Sequence, residues 1–468
     1  VDPLAHRSTP CSSTSHLAPR FAPRSRPLDW LWIAAAAGLA LPWLVYRTVS
    51  DTPDASPLLV ALLAGLAILG AAFLLSWAAE VLQLEVSQAL ALALLSLIAV
   101  LPEYAVDVVF AWRAASDPSQ APYAVANMTG ANRLLIGLGW SMVVFVAWWR
   151  IQRRRRSPRH PQQALHASRA GQHALAARAA PSDEISGAGG ARANGVALER
   201  SHVLELAALA AATLYSFSIP LKGGIGLLDT AVLAGIFAVY AWAVARAPAE
   251  HPELAGPAAA IARLGRAARR VVTLAFFAYA AAVILASAEP FAEGLVHSGA
   301  LLGIDEFLLV QWLAPLASEA PEFLVALLFA WKGLAGAGLG TLVASKVNQW
   351  TLLIGTLGAA YSLALGAPAN LPLDARQVEE LLLTSAQSFF ALALIADLRL
   401  NLAESAVLLS TFVLQLLMPG TEVRLAFAGA YMVAGVALFA VDPRRRAALR
   451  HVPLLVRTMG SWGKVPSA

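Results

Sequence analysis

The sequence predicts an all-α polytopic membrane protein of about twelve transmembrane helices, arranged as two inverted repeats. Composition is the first of three observations behind that reading: 58% of the 468 residues are hydrophobic and only 13% charged, against roughly 45–50% and about 25% in soluble domains. Second, the apolar residues gather into runs of roughly 20 or more, each long enough to cross about 30 Å of hydrocarbon as a helix. Third, a short acidic motif recurs in both halves of the chain, in spans that run in opposite directions. The first two observations exclude a soluble globule. The single cysteine, Cys11, excludes an internal disulfide and a thiolate metal cluster.

Residues 1–28, rich in Pro, Ser and Arg, read as a disordered cytoplasmic tail without the apolar core of a cleaved signal peptide. Apolar runs follow at about 30–49, 57–82, 86–114, 122–149, 202–219, 226–246, 271–297, 304–332, 337–364, 378–397, 402–418 and 423–441. They divide the chain into a membrane region at 29–149 and a disordered cytoplasmic linker at 150–200, rich in Ala, Arg, His and Gly. Spans at 201–270 complete the first half, a second membrane region covers 271–441, and 442–468 is a cytoplasmic tail.

Charge orients the spans. The tail carries Arg7, Arg20, Arg24 and Arg26; Arg153 to Arg156 open the linker; Arg263, Arg266, Arg269 and Arg270 follow the sixth run; Arg444 to Arg446 follow the last. If every run crosses once, all four clusters fall on one side, which the positive-inside rule makes the cytoplasm, with both termini there. The formal net charge of +5 therefore reads as membrane topology, and nucleic acid is not an expected partner. The partners expected are membrane lipid and cations, in the plasma membrane of a bacterium; the oligomeric state is not legible.

Comparing the halves yields the functional signal. "SLIAVLPEYAVDVVFAWRAA" precedes "YAVANMTGANRLLIGLGW" in the first, and "WLAPLASEAPEFLVALLFAWKG" precedes "LGTLVASKVNQWTLLIGTLG" in the second. Each pair places Pro-Glu, then Phe-Ala-Trp, then a small-polar-Asn patch ahead of Leu-Leu-Ile-Gly; the repeats lie at about 86–149 and 304–364. On the span count above, one Pro-Glu span runs outward and the other inward, as in secondary transporters that bind their cargo near the midplane. Pro102 and Pro321 each remove a backbone donor and are expected to break the helix and free carbonyls. Glu103 and Glu322 follow at once, and a carboxylate at mid-bilayer is costly unless it meets a cation, a proton or a buried partner.

The doubled Pro-Glu and Asn pattern resembles the paired alpha-repeats of the sodium/calcium exchanger superfamily of cation antiporters, over about residues 57–441. The resemblance implies a secondary antiporter, of a divergent bacterial type, in which the two Pro-Glu glutamates are central ion ligands. It also implies that Asn132, in Gly130-Ala131-Asn132, is a ligand. No resident cofactor is implied: Na+, Ca2+ or H+ would be the transported species.

Departures from the family pattern add residues to the site. Ala99-Val100 stands where Thr-Ser is expected, and Ser318-Glu319 at the corresponding place in the second repeat adds a carboxylate three residues before Glu322. Asp107 lies one turn after Glu103. Lys346 falls where an Asn or Asp ligand is expected, with Asn348 two positions beyond. Glu103, Asp107, Glu319 and Glu322 with Lys346 sum to −3 if all ionise, so mutual repulsion keeps at least one acid protonated near neutrality. Lys346 opposes a hard divalent ion and makes proton coupling more plausible; its expected partners are Glu319, Asp107 or Glu322.

Other polar residues carry less. Asn127 is either a ligand or an interhelical hydrogen bond, Glu80 and Glu85 read as solvated carboxylates at a cytoplasmic helix end, and Asp305 and Glu306 as outer-mouth acids. Trp30, Trp32, Trp148 and Trp149 read as interfacial anchors. A sodium/proton exchanger on the same scaffold is the alternative within transport. A membrane-embedded hydrolase or transferase is the weaker one, since the chain shows no HExxH, no nucleotide loop and no Ser/His/Asp grouping within spans.

Overall fold

The computed structural model describes residues 27–49, 56–82, 84, 101–156, 195–246, 254, 256–303, 305–418 and 420–446. Glu85, Ala99-Val100 and most of the two tails and the linker lie outside the described residues. The helices in chain order are α1 (Pro27–Gly38), α2 (Leu41–Val49), α3 (Pro57–Leu82), α4 (Leu101–Arg113), α5 (Ala121–Leu134), α6 (Ser141–Arg156), α7 (Val203–Ser216), α8 (Ser218–Lys222) and α9 (Leu227–Val244). They continue as α10 (Pro257–Ala262), α11 (Arg266–Leu302), α12 (Glu306–Lys332), α13 (Ala335–Asn348), α14 (Ile354–Leu365), α15 (Ala375–Ile395), α16 (Leu402–Leu417) and α17 (Thr421–Val441). Two antiparallel two-stranded ribbons, Gly195–Ala197 with Arg399–Asn401 and Gly224–Ile225 with Leu371–Pro372, tie the halves together. The expected linker thus has ordered ends: α6 runs on to Arg156, and Val196 pairs with Leu400, because both stretches find backbone partners.

Among the described residues nine helical stretches are long and apolar enough to cross a membrane, so the chain is an integral membrane protein. Three of the twelve expected runs do not reach that measure. The run at 86–114 is described only from Leu101, α16 has 16 residues, and the run at 337–364 is made more polar by Lys346, Asn348 and Gln349. Trp30, Trp32, Trp148 and Trp149 are exposed, as interfacial anchors should be.

The two repeats interlock by exchanging partners. The first Pro-Glu helix, α4, packs between α5 of its own repeat and α14 of the other, while the second, α12, packs between its own α13 and α5. The helix before each follows the same rule: α3 lies on α12, and α11 lies on α4. α3 and α11 also lie along each other, antiparallel, since Gly65 sits beneath the Phe291 ring and Gly294 abuts the backbone of Ala61. Small residues there allow the close approach that membrane helices use in place of a hydrophobic driving force.

The prolines do not break α12 as expected. It runs unbroken through Pro315 and Pro321, because packing on three sides holds a helix that has lost two of its hydrogen bonds. Ser318 Oγ donates to the Ala314 and Pro315 carbonyls at 3.2 and 3.3 Å, adding side-chain bonds in the affected turn. The irregularity instead falls in the other motif helix of each repeat. Leu135–Trp140 and Gln349–Leu353 are both π-helical turns, at or beside the two Leu-Leu-Ile-Gly strings. Such turns insert a residue and re-aim the side chains beside them.

Pro315 lacks the N–H that would take the Gln311 carbonyl, and α5 crosses α12 where that carbonyl emerges. A Cβ on Gly130 would run into the Gln311 carbonyl oxygen, so only glycine fits the crossing. Gly130→Val is therefore expected to lower stability by about 1–3 kcal/mol as an overpacked core does, read as a reduced Tm of the detergent-purified protein.

Candidate functional site

The acids and amides singled out from sequence meet where α4, α5, α12 and α13 cross. Glu103, Asp107, Glu319, Asn127, Asn132, Lys346 and Asn348 are buried, and Glu322 is 9% exposed. The centre is Gln349, the first residue of the second π-turn. Its Nε2 donates to Glu103 Oε1 at 3.1 Å and to Glu319 Oε1 at 2.9 Å, so carboxyl groups of both repeats are joined through one nitrogen. Glu103 and Glu322 lie within charge–charge range of each other, and Glu319 is within range of both.

Asp107 accepts from Asn127 Nδ2 at 2.6 Å across the α4–α5 contact, so Asn127 makes an interhelical hydrogen bond while its Oδ1 is buried without a partner. Asn132 is held by its own helix, Nδ2 donating to the Met128 carbonyl at 2.8 Å, which leaves Oδ1 turned to Lys346. The lysine does not take the carboxylate partners expected of it. Its Nζ donates to Asn132 Oδ1 at 2.6 Å and stands 4.2 Å from the centre of the Trp350 ring, with Glu319 in charge range but more distant. The reason is geometric. Lys346 and Trp350 are one turn apart, so the ring covers the stem, and the nearest oxygen across the helix crossing is the Asn132 amide.

Unpartnered oxygens line the same region: Glu103 Oε2, Asp107 Oδ2, Glu319 Oε2, Glu322 Oε2, Asn348 Oδ1 and Gln349 Oε1 are buried without a hydrogen-bond partner. Buried oxygens left in that condition mark a place for water or a cation. Among the described residues, no three acidic or imidazole side chains converge closely enough to hold an ion as they stand. The amide of Gln349 occupies the space between two of the carboxyl groups instead. Sequence reasoning missed Gln349, although it stands three residues after Lys346 on the same helix face; its amide was hidden among the polar residues of one patch.

Two further expectations change. Glu80 is not a freely solvated carboxylate: it is half-buried, its Oε1 is enclosed without a hydrogen-bond partner, and it is in charge range of Glu322. Asp305 caps α12 through the Phe307 amide and pairs with Arg376 at 2.6 Å, while Glu306 accepts from Tyr123 at 3.1 Å, so both acids are engaged in structure.

A second buried polar group, unforeseen from sequence, backs the site. Arg133, the residue after Asn132, pairs with Glu380 of α15 at 2.6 Å with both side chains 3% exposed, and its guanidinium lies 5.0 Å from the Trp312 ring. Arg424 of α17 binds Glu379 at 2.8 Å and reaches Glu380 at 3.8 Å. Isolated charges inside apolar runs were the available signal.

A fold of interlocked inverted repeats with paired glutamates at their shared centre defines a secondary active cation antiporter. The sequence pattern of the family described as "Sodium/calcium exchanger protein" matches residues 56–246 and 272–420, and the chain belongs to that family. Among solved structures it is similar to the H+/Ca2+ exchanger CAX, with a TM-score of 0.80 and 38% identity over 93% of this chain and 99% of that one. It also shares its fold with the Ca2+/H+ antiporter protein YfkE, with a TM-score of 0.52 and 14% identity over 87% of this chain and 100% of that one. No curated protein matches the chain.

Replacing Arg133 by Met should leave Glu380 with only the more distant Arg424 and cost about 3 kcal/mol or more, as when one partner of a buried pair is removed. Thermal unfolding in detergent measures it. Arg133→Lys should recover only part of the loss, because a single ammonium cannot both pair with Glu380 and lie flat on Trp312.

Proposed function

We propose that the chain exchanges calcium ions for protons by alternating access, with Glu103 and Glu322 as the central cation- and proton-bearing groups and Glu319, Asp107, Asn132 and Asn348 beside them. The observation that carries this reading is the Gln349 bridge, which gathers carboxyl groups of both inverted repeats around one buried amide. The similarity to the H+/Ca2+ exchanger CAX supports the ion pair. Each carboxyl can be neutralised by a proton or by a share of a divalent cation, and burial makes one or the other necessary. In the arrangement seen here the Gln349 N–H groups face the carboxyl oxygens. Turning the amide over would present Oε1, now unpartnered, to a cation held between the same two groups.

Lys346 sets the charge of the site. Bonded to Asn132 Oδ1, the ammonium takes the oxygen that the family resemblance assigns to the ion, which lowers the number of ligands open to a hard divalent cation. That one observation favours the sodium/proton alternative and is the point to test. The Arg clusters support both termini lying in the cytoplasm of a bacterial-type cell, with the protein in its plasma membrane.

In proteoliposomes, Glu103→Gln and Glu322→Gln should each reduce calcium uptake driven by a pH gradient to background while the protein remains folded by size-exclusion. Exchange at the wild-type rate in either variant would overturn the reading. Lys346→Asn should restore an oxygen ligand and remove an opposing charge, increasing the response to calcium and shifting the pH profile of flux. If ion preference and pH profile are both unchanged, the lysine is a structural group only.

A further inference from the structure

The sequence Ala-Glu-x-Leu occurs twice in the chain, as Ala79-Glu80-Val81-Leu82 and as Ala292-Glu293-Gly294-Leu295. Both copies lie on the helix that precedes a Pro-Glu helix, α3 and α11, and each of those helices packs against the Pro-Glu helix of the opposite repeat. Although Glu80 lies two residues and Glu293 nine residues from the end of its helix, each stands by the basic residue that ends the opposite repeat's Pro-Glu helix, Lys332 for Glu80 and Arg113 for Glu293, which puts them toward opposite faces of the membrane. Glu80 stands two residues from the end of α3 and is in charge range of Lys332, the last residue of α12, as well as of Glu322.

Their surroundings differ. Glu293 is taken up by Arg113 of α4, whose Nη2 lies 2.6 Å from Glu293 and 2.6 Å from Glu289. Glu80 Oε1 is enclosed and has no hydrogen-bond partner, beside a Glu322 whose Oε2 has none either. One carboxyl oxygen is thus sealed in while the residue as a whole stays half-buried, which sets Glu80 apart from a plain surface carboxylate. Two unpartnered carboxyl oxygens in charge range, one near the end of its helix and one deep in the bundle, form a step between the membrane face and the centre.

We propose that Glu80 is a hand-over carboxylate, through which cations pass between Glu322 and the membrane face where α3 and α12 end, with Glu293 its counterpart for the other face. This rests on the exchange function proposed above. A calcium ion leaving Glu322 would meet a second carboxylate before bulk water, and the Arg113 pairing keeps the opposite counterpart occupied in this arrangement.

The test uses the whole 468-residue chain with Cys11→Ser, which leaves the thiol introduced by Glu80→Cys as the only one in this sequence. A charged, membrane-impermeant thiosulfonate applied from either side of sealed vesicles should label that thiol from one side only. Calcium should slow the labelling severalfold, and Glu322→Gln should remove that protection. In parallel, Glu80→Gln should slow calcium/proton exchange roughly tenfold, the scale of one lost charge-assisted contact, while Glu80→Asp keeps most of it. Labelling from neither side, protection that survives Glu322→Gln, or wild-type exchange in Glu80→Gln would each overturn the hand-over. The two readings fail separately. Exchange that persists in Glu322→Gln removes the exchange function itself, whereas loss there with undiminished exchange in Glu80→Gln removes only the role of Glu80.

Discussion

A carboxyl group placed in the low-dielectric centre of a membrane protein must be neutralised on the spot, and this structure is arranged around meeting that demand for several at once. Glu103 and Glu319 share the Gln349 amide, Asp107 takes Asn127, and Glu322 lies in charge range of Glu80. Every partner is neutral or itself acidic, apart from Lys346, which is bonded to an amide. Protons and cations are what such a set of oxygens can accept, and a fixed salt bridge at each carboxyl would have closed it.

The interlocking of the repeats follows from the same demand. A carboxylate supplied by one repeat alone would have lipid or its own helix for company, whereas α4 and α12 are each held between helices of both repeats. Exchange of partners lets one amide reach both halves. It also explains why the prolines are tolerated: α12 is held on enough sides to stay helical, and the carbonyl freed by Pro315 is accommodated by the missing side chain of Gly130. The two π-turns then do what the prolines were expected to do, shifting the register of α5–α6 and α13–α14 beside the buried polar residues of the crossing.

Behind this adaptable centre stands a fixed one. Arg133, Glu380, Arg424 and Glu379 form one buried and one part-buried ion pair that share an edge, linking α5 to α15 and α17. Charges balanced in place by fixed partners set this group apart from the acids of the helix crossing, which have no such counter-charges. Asn132, between the two, is held by its own helix on one side and by Lys346 on the other.

Much of this was legible in the sequence because it is local or repetitive. The apolar runs, the doubled Pro-Glu and Asn strings, and the residues Glu103 and Glu322 can be read from composition and spacing, since a membrane span and an internal repeat are periodic in one dimension, while Asn132, Asp107, Glu319 and Lys346 came from the resemblance to the exchanger family and the departures from its pattern. Pairing is not. That Lys346 goes to Asn132, that Gln349 joins Glu103 to Glu319, and that Arg133 meets Glu380 depend on how helices far apart in sequence cross, and several polar groups of similar reach compete for each partner. The sequence by itself determined which stretches cross the membrane and which acids its repeat doubles; only the tertiary structure decided which polar groups are enclosed and which of them touch, because hydrogen bonds are short and directional while hydropathy is neither.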